Sequence, residues 1–293
     1  MLLGAHESIA GGLHRAFERA AADGAAAVQI FVKNGRTWKA RPIEPDEARA
    51  FRAAHAAAGI PAFAHATYLL NLAAEPASEI RQKSIDGLVD ELSRCELLGL
   101  PGLVVHPGAN PEVERGIALI GAAIREALAR VPGQVAVWLE NTAGQGSSLG
   151  WEPDQLGRIL EAAGGESRLG VCFDTCHAFA AGHDLTTETG FRSTIRKLGE
   201  AIGGLATVKA FHLNDCKKPL GCRVDRHEDP GDGTMGLAPF RFLQEDGRFE
   251  RVPGVLETPV PERYAELLGR LRALAPVAAR SGPGPSRTSV KAR

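Results

Sequence analysis

The chain has 293 residues, of which 44% are hydrophobic, and its 34 basic and 35 acidic side chains give a formal charge of −1. That length suits one large domain or two small ones with a sizeable core, and near-neutrality neither demands nor forbids a polyanionic partner. Five scattered cysteines form no disulfide framework, MLLGAHESIAGG lacks the basic and apolar regions of a secretion signal, and no apolar run approaches the roughly 20 residues of a membrane span; a soluble cytoplasmic protein is expected.

Short apolar runs alternate with longer helical patterns. LLGAH (2–6) precedes a helix pattern at 13–22, AAVQIF (26–31) one at 44–58, PAFAHA (61–66) one at 76–98, and GLVVHPG (102–108) one at 112–130. QVAVWLENT (134–142) is followed by 153–163, LGVCFDTCH (169–177) by 188–202, VKAFHLND (208–215) by a long loop, and VPGVLETP (252–259) by 262–274. Glu44-Pro45, Glu75-Pro76 and Glu152-Pro153 place a proline where first turns begin. Eight strand-like runs with helices between them predict βαβ units in a parallel sheet, and this length closes it into a (β/α)8 TIM barrel. An open doubly wound sheet would show a glycine-rich phosphate turn after the first strand, and Gly11-Gly12 is too short for one. Residues 1–276 are read as a single barrel domain. Residues 277–293, ending in the acid-free SGPGPSRTSVKAR, are read as a disordered basic tail.

The chemistry lies at the strand ends. His65, His106, Glu140, Asp174, His212 and Glu257 close the third to eighth runs at spacings of 41, 34, 34, 38 and 45 residues, one βα unit each. In a barrel those ends converge on the face that carries active sites. One such histidine would more often be structural, and one such acid a cap or half of an ion pair. Six in succession are different, because crowded carboxylates repel and desolvate unless cations compensate them. His177 in DTCH, and Asp225 with His227 in Asp-Arg-His, add three donors; in extended chain the latter pair faces one way. Histidine and carboxylate without thiolate suit zinc, and accept manganese or iron. All five thiols are read as non-ligands, the exclusion of Cys216, close to His212, having the least support.

These residues sit in blocks that resemble the endonuclease IV family: GAHESIAGGL, FVKNGRTWKA, HATYLLNLA, VVHPG, LENTAGQGSS, CFDTCHAFAAGHD, HLNDCKKPLGCRVDRHEDPGDG and LETP, in that order, from about residue 2 to about 275. His183, Cys222 and Asp229 depart from the family's usual residue types. The resemblance implies a zinc-dependent enzyme of DNA base excision repair that cuts 5′ to abasic sites, leaving a 3′-hydroxyl and a 5′-deoxyribose phosphate. It also implies three zinc ions: one on His65 and His106, bridged by Glu140 to a second on Asp174, His212 and Glu257, and a third on His177, Asp225 and His227. Glu140 is then the residue that positions the attacking water. The resemblance gives Arg36, Tyr68 and Leu69 the task of wedging into the base stack where a base is missing.

The implied partner is duplex DNA containing abasic sites, met by a monomer with no membrane or protein partner. Setting aside the four candidate ligand carboxylates leaves 34 basic against 31 acidic residues. Lys33, Arg36, Lys39 and Arg41 follow the second strand, and Lys217, Lys218, Arg223 and Arg226 the seventh; loop charges are usually just solvated, but above a phosphate-cutting site they are expected to meet phosphates. His6, ending the first strand, is read as structural. Two other functions compete. A divalent-metal sugar isomerase or epimerase on a related barrel explains the strand-end ligands but not DTCH, Asp-Arg-His or the basic loops. A non-catalytic binder of damaged DNA would have no need of a complete ligand set.

Overall fold

The computed structural model describes residues 1–165 and 167–275. Barrel strands β1 (Leu2–His6), β2 (Val28–Phe31), β3 (Ala62–His65), β4 (Gly102–Val105), β5 (Ala136–Glu140), β6 (Leu169–Asp174) and β7 (Val208–His212) run parallel, and β10 (Pro253–Leu256) closes the ring between β7 and β1. Helices α1 (Arg15–Ala22), α2 (Pro45–Ala58), α3 (Glu79–Leu98), α4 (Val113–Arg130), α5 (Pro153–Ala162), α7 (Glu188–Ala201) and α9 (Tyr264–Arg272) follow the expected patterns. The expected TIM barrel is the fold, and the eight strand-like runs are its eight strands. The tail from 277 lies outside the described residues.

Three elements were not anticipated. α6 (Thr175–Ala181) starts directly from the end of β6, and all seven of its residues are buried. The loop after β7 contains a small antiparallel hairpin, β8 (Asp215–Cys216) with β9 (His227–Glu228), and then α8 (Ala238–Glu245).

Alternation along each strand sorts the side chains into two cores. Val28 and Ile30, Val137 and Leu139, and Val171 and Phe173 face the helices and join the large outer core. Phe63, Val104, Trp138, Cys172, Ala210 and Val255 face inward and fill the barrel with Ala27 and Ala136. Trp138 is the largest of these, and it occupies room left by glycine: a Cβ on Gly102 would stand 2.1 Å from its ring, and one on Gly170 2.9 Å from it.

Two residues further along every strand lies the next inward position, at the top of the barrel. Those positions are His6, Gln29, His65, His106, Glu140, Asp174, His212 and Glu257. All eight are polar, so a dry plug ends where a ring of eight polar side chains begins.

Candidate metal centre

The upper ring is held at hydrogen-bonding distances. Glu140 is fully buried; its Oε2 lies 3.1 Å from His65 Nε2 and 3.0 Å from His106 Nε2, and its Oε1 lies 2.9 Å from His212 Nδ1 and 3.2 Å from His177 Nδ1. His212 Nδ1 is also 3.0 Å from Glu257 Oε2 and 3.7 Å from Asp174 Oδ2. The nine expected ligands therefore meet in one place. His65, His106 and Glu140 offer donor atoms within 4.8 Å of one another, as do Glu140, Asp174, His212 and Glu257.

Local structure aims the remaining three. The Asp174 carboxylate caps α6 by accepting from His177 N at 2.7 Å, which turns the His177 ring over Glu140. His177 Nε2 lies 3.3 Å from His227 Nε2 and 3.3 Å from Asp225 Oδ2, and His227 Nε2 lies 3.3 Å from the other carboxylate oxygen, Oδ1. Asp225 and His227 come from the loop after β7, and buried Asp215 shapes that loop: its carboxylate accepts from the backbone N–H of Cys216 (2.7 Å), Met235 (2.9 Å), Gly231 (3.0 Å) and Gly233 (3.1 Å).

This arrangement requires positive charge. Glu140, Asp174, Asp225 and Glu257 crowd together, and their ion-pair partners among the described residues are all histidines. Burial alone would push His212 down, yet contact with Cys172, Glu257 and Glu140 holds it well above its ordinary pKa. His177 likewise ends well above, through Asp174, Asp225 and Glu140. Burial would raise Glu140, but His212 and His106 keep it well below the carboxylate range. The positive charge that these carboxylates favour can come from protonated imidazoles or from bound cations. The facing ring nitrogens of His177 and His227 cannot satisfy each other without a proton or cation between them. The donor set, nitrogen and oxygen around shared carboxylates, fits zinc.

Side chains without donor roles fix this ring. Asn214 donates from Nδ2 to Asp174 Oδ2 at 2.7 Å, and its Oδ1 accepts from Glu257 N at 2.9 Å. Asn141 Oδ1 accepts from Asp174 N at 2.7 Å. Gln29, also fully buried, was missed by sequence reasoning. Its amide donates to Glu257 Oε1, so its Oε1, 2.9 Å from His212 Nε2, accepts from that nitrogen and leaves Nδ1 free to face the carboxylates. His6, read as structural, has its Nδ1 2.8 Å from Glu257 Oε1 and belongs to the ring. A glutamine inside the otherwise apolar run VQIF was the available signal.

Comparisons with known proteins bear on the fold and the family. The sequence pattern of the xylose isomerase-like TIM barrel family matches residues 17–282. A probable endonuclease 4 of Chloroflexus aurantiacus is 47% identical over 267 residues, covering 90% of this chain and 93% of that protein. One from Citrifermentans bemidjiense is 45% identical over 262 residues, covering 88% and 92%. The crystal structure of endonuclease IV from Thermus thermophilus superimposes with a TM-score of 0.84 at 38% identity, covering 94% of this chain and 98% of that one. The chain belongs to the endonuclease IV family. A D-tagatose 3-epimerase-like protein also superimposes, with a TM-score of 0.67, but at 19% identity it shares the fold alone.

In this endonuclease IV family member the loops after β2 and β3 stand beside the cluster. Tyr68 is 56% exposed, with its ring 5.4 Å from that of His65 and 6.1 Å from that of His106. Leu69 is half-buried next to it, and Arg36 is exposed. Arg36 and Tyr68 line, with His6 and Glu7, an open cavity of about 880 Å³. One expected phosphate contact does not survive. Lys33 is buried, 3.2 Å from Glu91 and 3.0 Å from Asp90 on α3, and donates to Trp38 O, so it braces its loop from beneath. Arg36, Lys39, Lys218, Arg223 and Arg226 remain exposed, Arg223 stacking over Trp151 at 4.1 Å. Of the thiols, that of Cys176 lies within 4.8 Å of donor atoms of Asp225 and His227. Among the described residues no helix is long and apolar enough to cross a membrane.

Proposed function

We propose that this chain is a zinc-dependent DNA-repair endonuclease that hydrolyses the phosphodiester bond 5′ to an abasic site, leaving a 3′-hydroxyl and a 5′-deoxyribose phosphate. In this reading residues 1–276 are one catalytic domain, acting as a monomer in the cytoplasm. The observation that supports it is the sharing of one buried carboxylate, Glu140, by two donor sets, with His177, Asp225 and His227 in mutual contact beside it and an exposed aromatic and cationic lip alongside.

His65 and His106 would hold the first zinc with Glu140, which extends to the second with Asp174, His212 and Glu257; His177, Asp225 and His227 would hold the third. When bound, such a cluster supplies an activated water and shields the negative charge of the phosphate. The chain's own residues do the rest. Glu140 presents one oxygen to each side of the cluster and so fixes where the attacking water stands. Gln29 holds the side chains of His212 and Glu257, Asn214 that of Asp174, and Asn141 and Asn214 pin the backbone of Asp174 and Glu257, so the site does not reorganise as charge moves. Arg36, Tyr68 and Leu69, beside the cluster, would enter the gap of a duplex laid on this face, and a side chain inserted there would hold the unpaired sugar out of the stack towards the ring. Lys39, Lys218 and Arg226 meet phosphates on either side.

The test is a duplex carrying one abasic site, its intact twin, and a chelator. Single-site incision of the abasic duplex is expected, abolished by chelation and restored by zinc. Equal cutting of both duplexes, or cutting that survives full depletion of metal, overturns the reading.

A further inference from the structure

Arg36 sits on the loop after β2, Tyr68 and Leu69 on the loop after β3, and the two loops are fastened to each other as well as to the barrel. Gly35 O, next to Arg36, accepts from Thr67 Oγ1 at 2.7 Å and from Tyr68 N at 3.2 Å. The same hydroxyl accepts from Leu69 N at 3.4 Å. Beneath this seam lies Glu91 of α3, fully buried, whose carboxylate accepts from Thr67 N at 3.1 and 3.3 Å and meets Lys33 Nζ at 3.2 Å. Lys33 also donates to Trp38 O and Asp90, so its three donors are all used. One turn on, Arg94 holds Asp90 and donates to Arg41 O at 2.9 Å, pinning the far end of the β2 loop. An apolar contact reinforces the seam: a Cβ on Gly35 would stand 2.8 Å from the Phe31 ring, and that ring lies 5.6 Å from the ring of Tyr68.

We propose that Lys33, Glu91 and Thr67 are positioning residues for recognition: they set the spacing between Arg36 and the Tyr68–Leu69 pair, and with it the preference for duplex lacking a base over intact duplex. This rests on the reading above, in which Arg36, Tyr68 and Leu69 enter the gap. Three observations support it together. A buried ion pair adds little to stability that apolar packing could not supply, so Lys33 and Glu91 need another account. Their hydrogen bonds end on the backbone of the two loops, at Trp38 O and Thr67 N. Glu91 stands outside the donor sets of the metal cluster. A wedge assembled from two loops has to be set before DNA arrives, because ordering loose loops on binding costs affinity. An intact duplex offers no gap, so it gains nothing from that spacing.

The test uses full-length protein loaded with zinc and two matched duplexes, one with an abasic site and one intact, at one fixed salt concentration. Thr67→Val keeps the size and removes the hydroxyl that joins the loops. Lys33→Met keeps the reach and removes the three donors. Each should lower the ratio of affinities for abasic over intact duplex about three- to tenfold. KM for incision should rise by a similar factor, with kcat within about twofold of wild type and zinc per chain unchanged. Combined with Arg36→Ala, each should cost less than the product of the two separate losses. Unchanged preference in both variants, or losses that multiply as for independent sites, overturns the strut and leaves the functional reading standing. Lower zinc content or kcat with the preference retained makes the network a support of the metal cluster, which also overturns the proposal. A wild type with no preference for the abasic duplex overturns both. Should Lys33→Met not fold, Thr67→Val decides alone, since it leaves the ion pair untouched.

Discussion

Glu140 lies against four imidazoles, two on each oxygen. Glu140→Gln keeps the volume but turns one of those oxygens into a donor facing ring nitrogens. Incision should fall at least about a hundredfold, on the order of 2.7 kcal/mol of barrier, while affinity for abasic duplex changes only a few-fold. Arg36→Ala should do the reverse, because Arg36 lies outside the ring and stands exposed beside Tyr68. Binding to abasic duplex should weaken more than binding to its intact twin at one fixed salt concentration, and cleavage at saturating DNA should largely recover. Equal losses on both duplexes would make Arg36 a plain phosphate contact. Gln29 is read from the structure alone. Gln29→Ala removes the acceptor of His212 Nε2 and a donor to Glu257. Zinc affinity measured by chelator competition should drop on the order of ten- to a hundredfold; an unchanged affinity would reduce Gln29 to packing. Nine donors were legible in the sequence because each is a chemically marked residue at the end of an apolar run or in the loop just beyond one. Gln29 was not, since one amide inside an apolar run reads equally as a satisfied core residue until the fold shows what it faces. Lys33 misled for the opposite reason, its partners Asp90 and Glu91 lying on α3, far along the chain.

The loop after β7 contributes two of the nine donors on very little regular structure, two residues in each strand of its hairpin. Asp215 compensates by accepting four backbone N–H groups, three of them from residues 231–235. Asp215→Ala would leave those donors without a buried partner, at about 1–3 kcal/mol. The barrel should survive, since the other barrel strands do not depend on this loop. The expected loss is local: zinc per chain by elemental analysis falls from about three to about two, and proteolysis within 217–235 becomes faster. Loss of all metal would show that the loop and the ring are one unit. The elements that escaped the sequence share a physical trait. TCHAFAA is buried on every side, so α6 has no polar face to give a helical period. The hairpin is too short for alternation to register, and α8 follows a run of glycine and proline that reads as loop. Where elements are long and half-exposed, as in α3 and α4, the expected and observed bounds agree within a few residues.

At the scale of the molecule, the barrel interior is divided by height. Trp138 and its neighbours make a dry floor, and the eight polar side chains above it concentrate charge in a chain that is almost neutral overall. The alternation of the strands announces both layers, because each ligand on β3 to β7 and beyond β10 follows an apolar inward residue by two. What alternation cannot announce is the seam. β1 and β10 meet in register from Leu2 opposite Pro253 to Ala5 opposite Leu256, and across that join His6 reaches Glu257. During synthesis the chain emerges amino end first, at about 5–20 residues per second, so Glu257 is the last of the nine donors to appear, and it arrives together with the strand that closes the ring. Truncated products released before that point lack both the eighth stave and the final carboxylate. In the proposed reading a half-made copy is therefore unarmed, and the ability to cut nucleic acid arises only once the eighth strand of the newborn polypeptide has closed against the first.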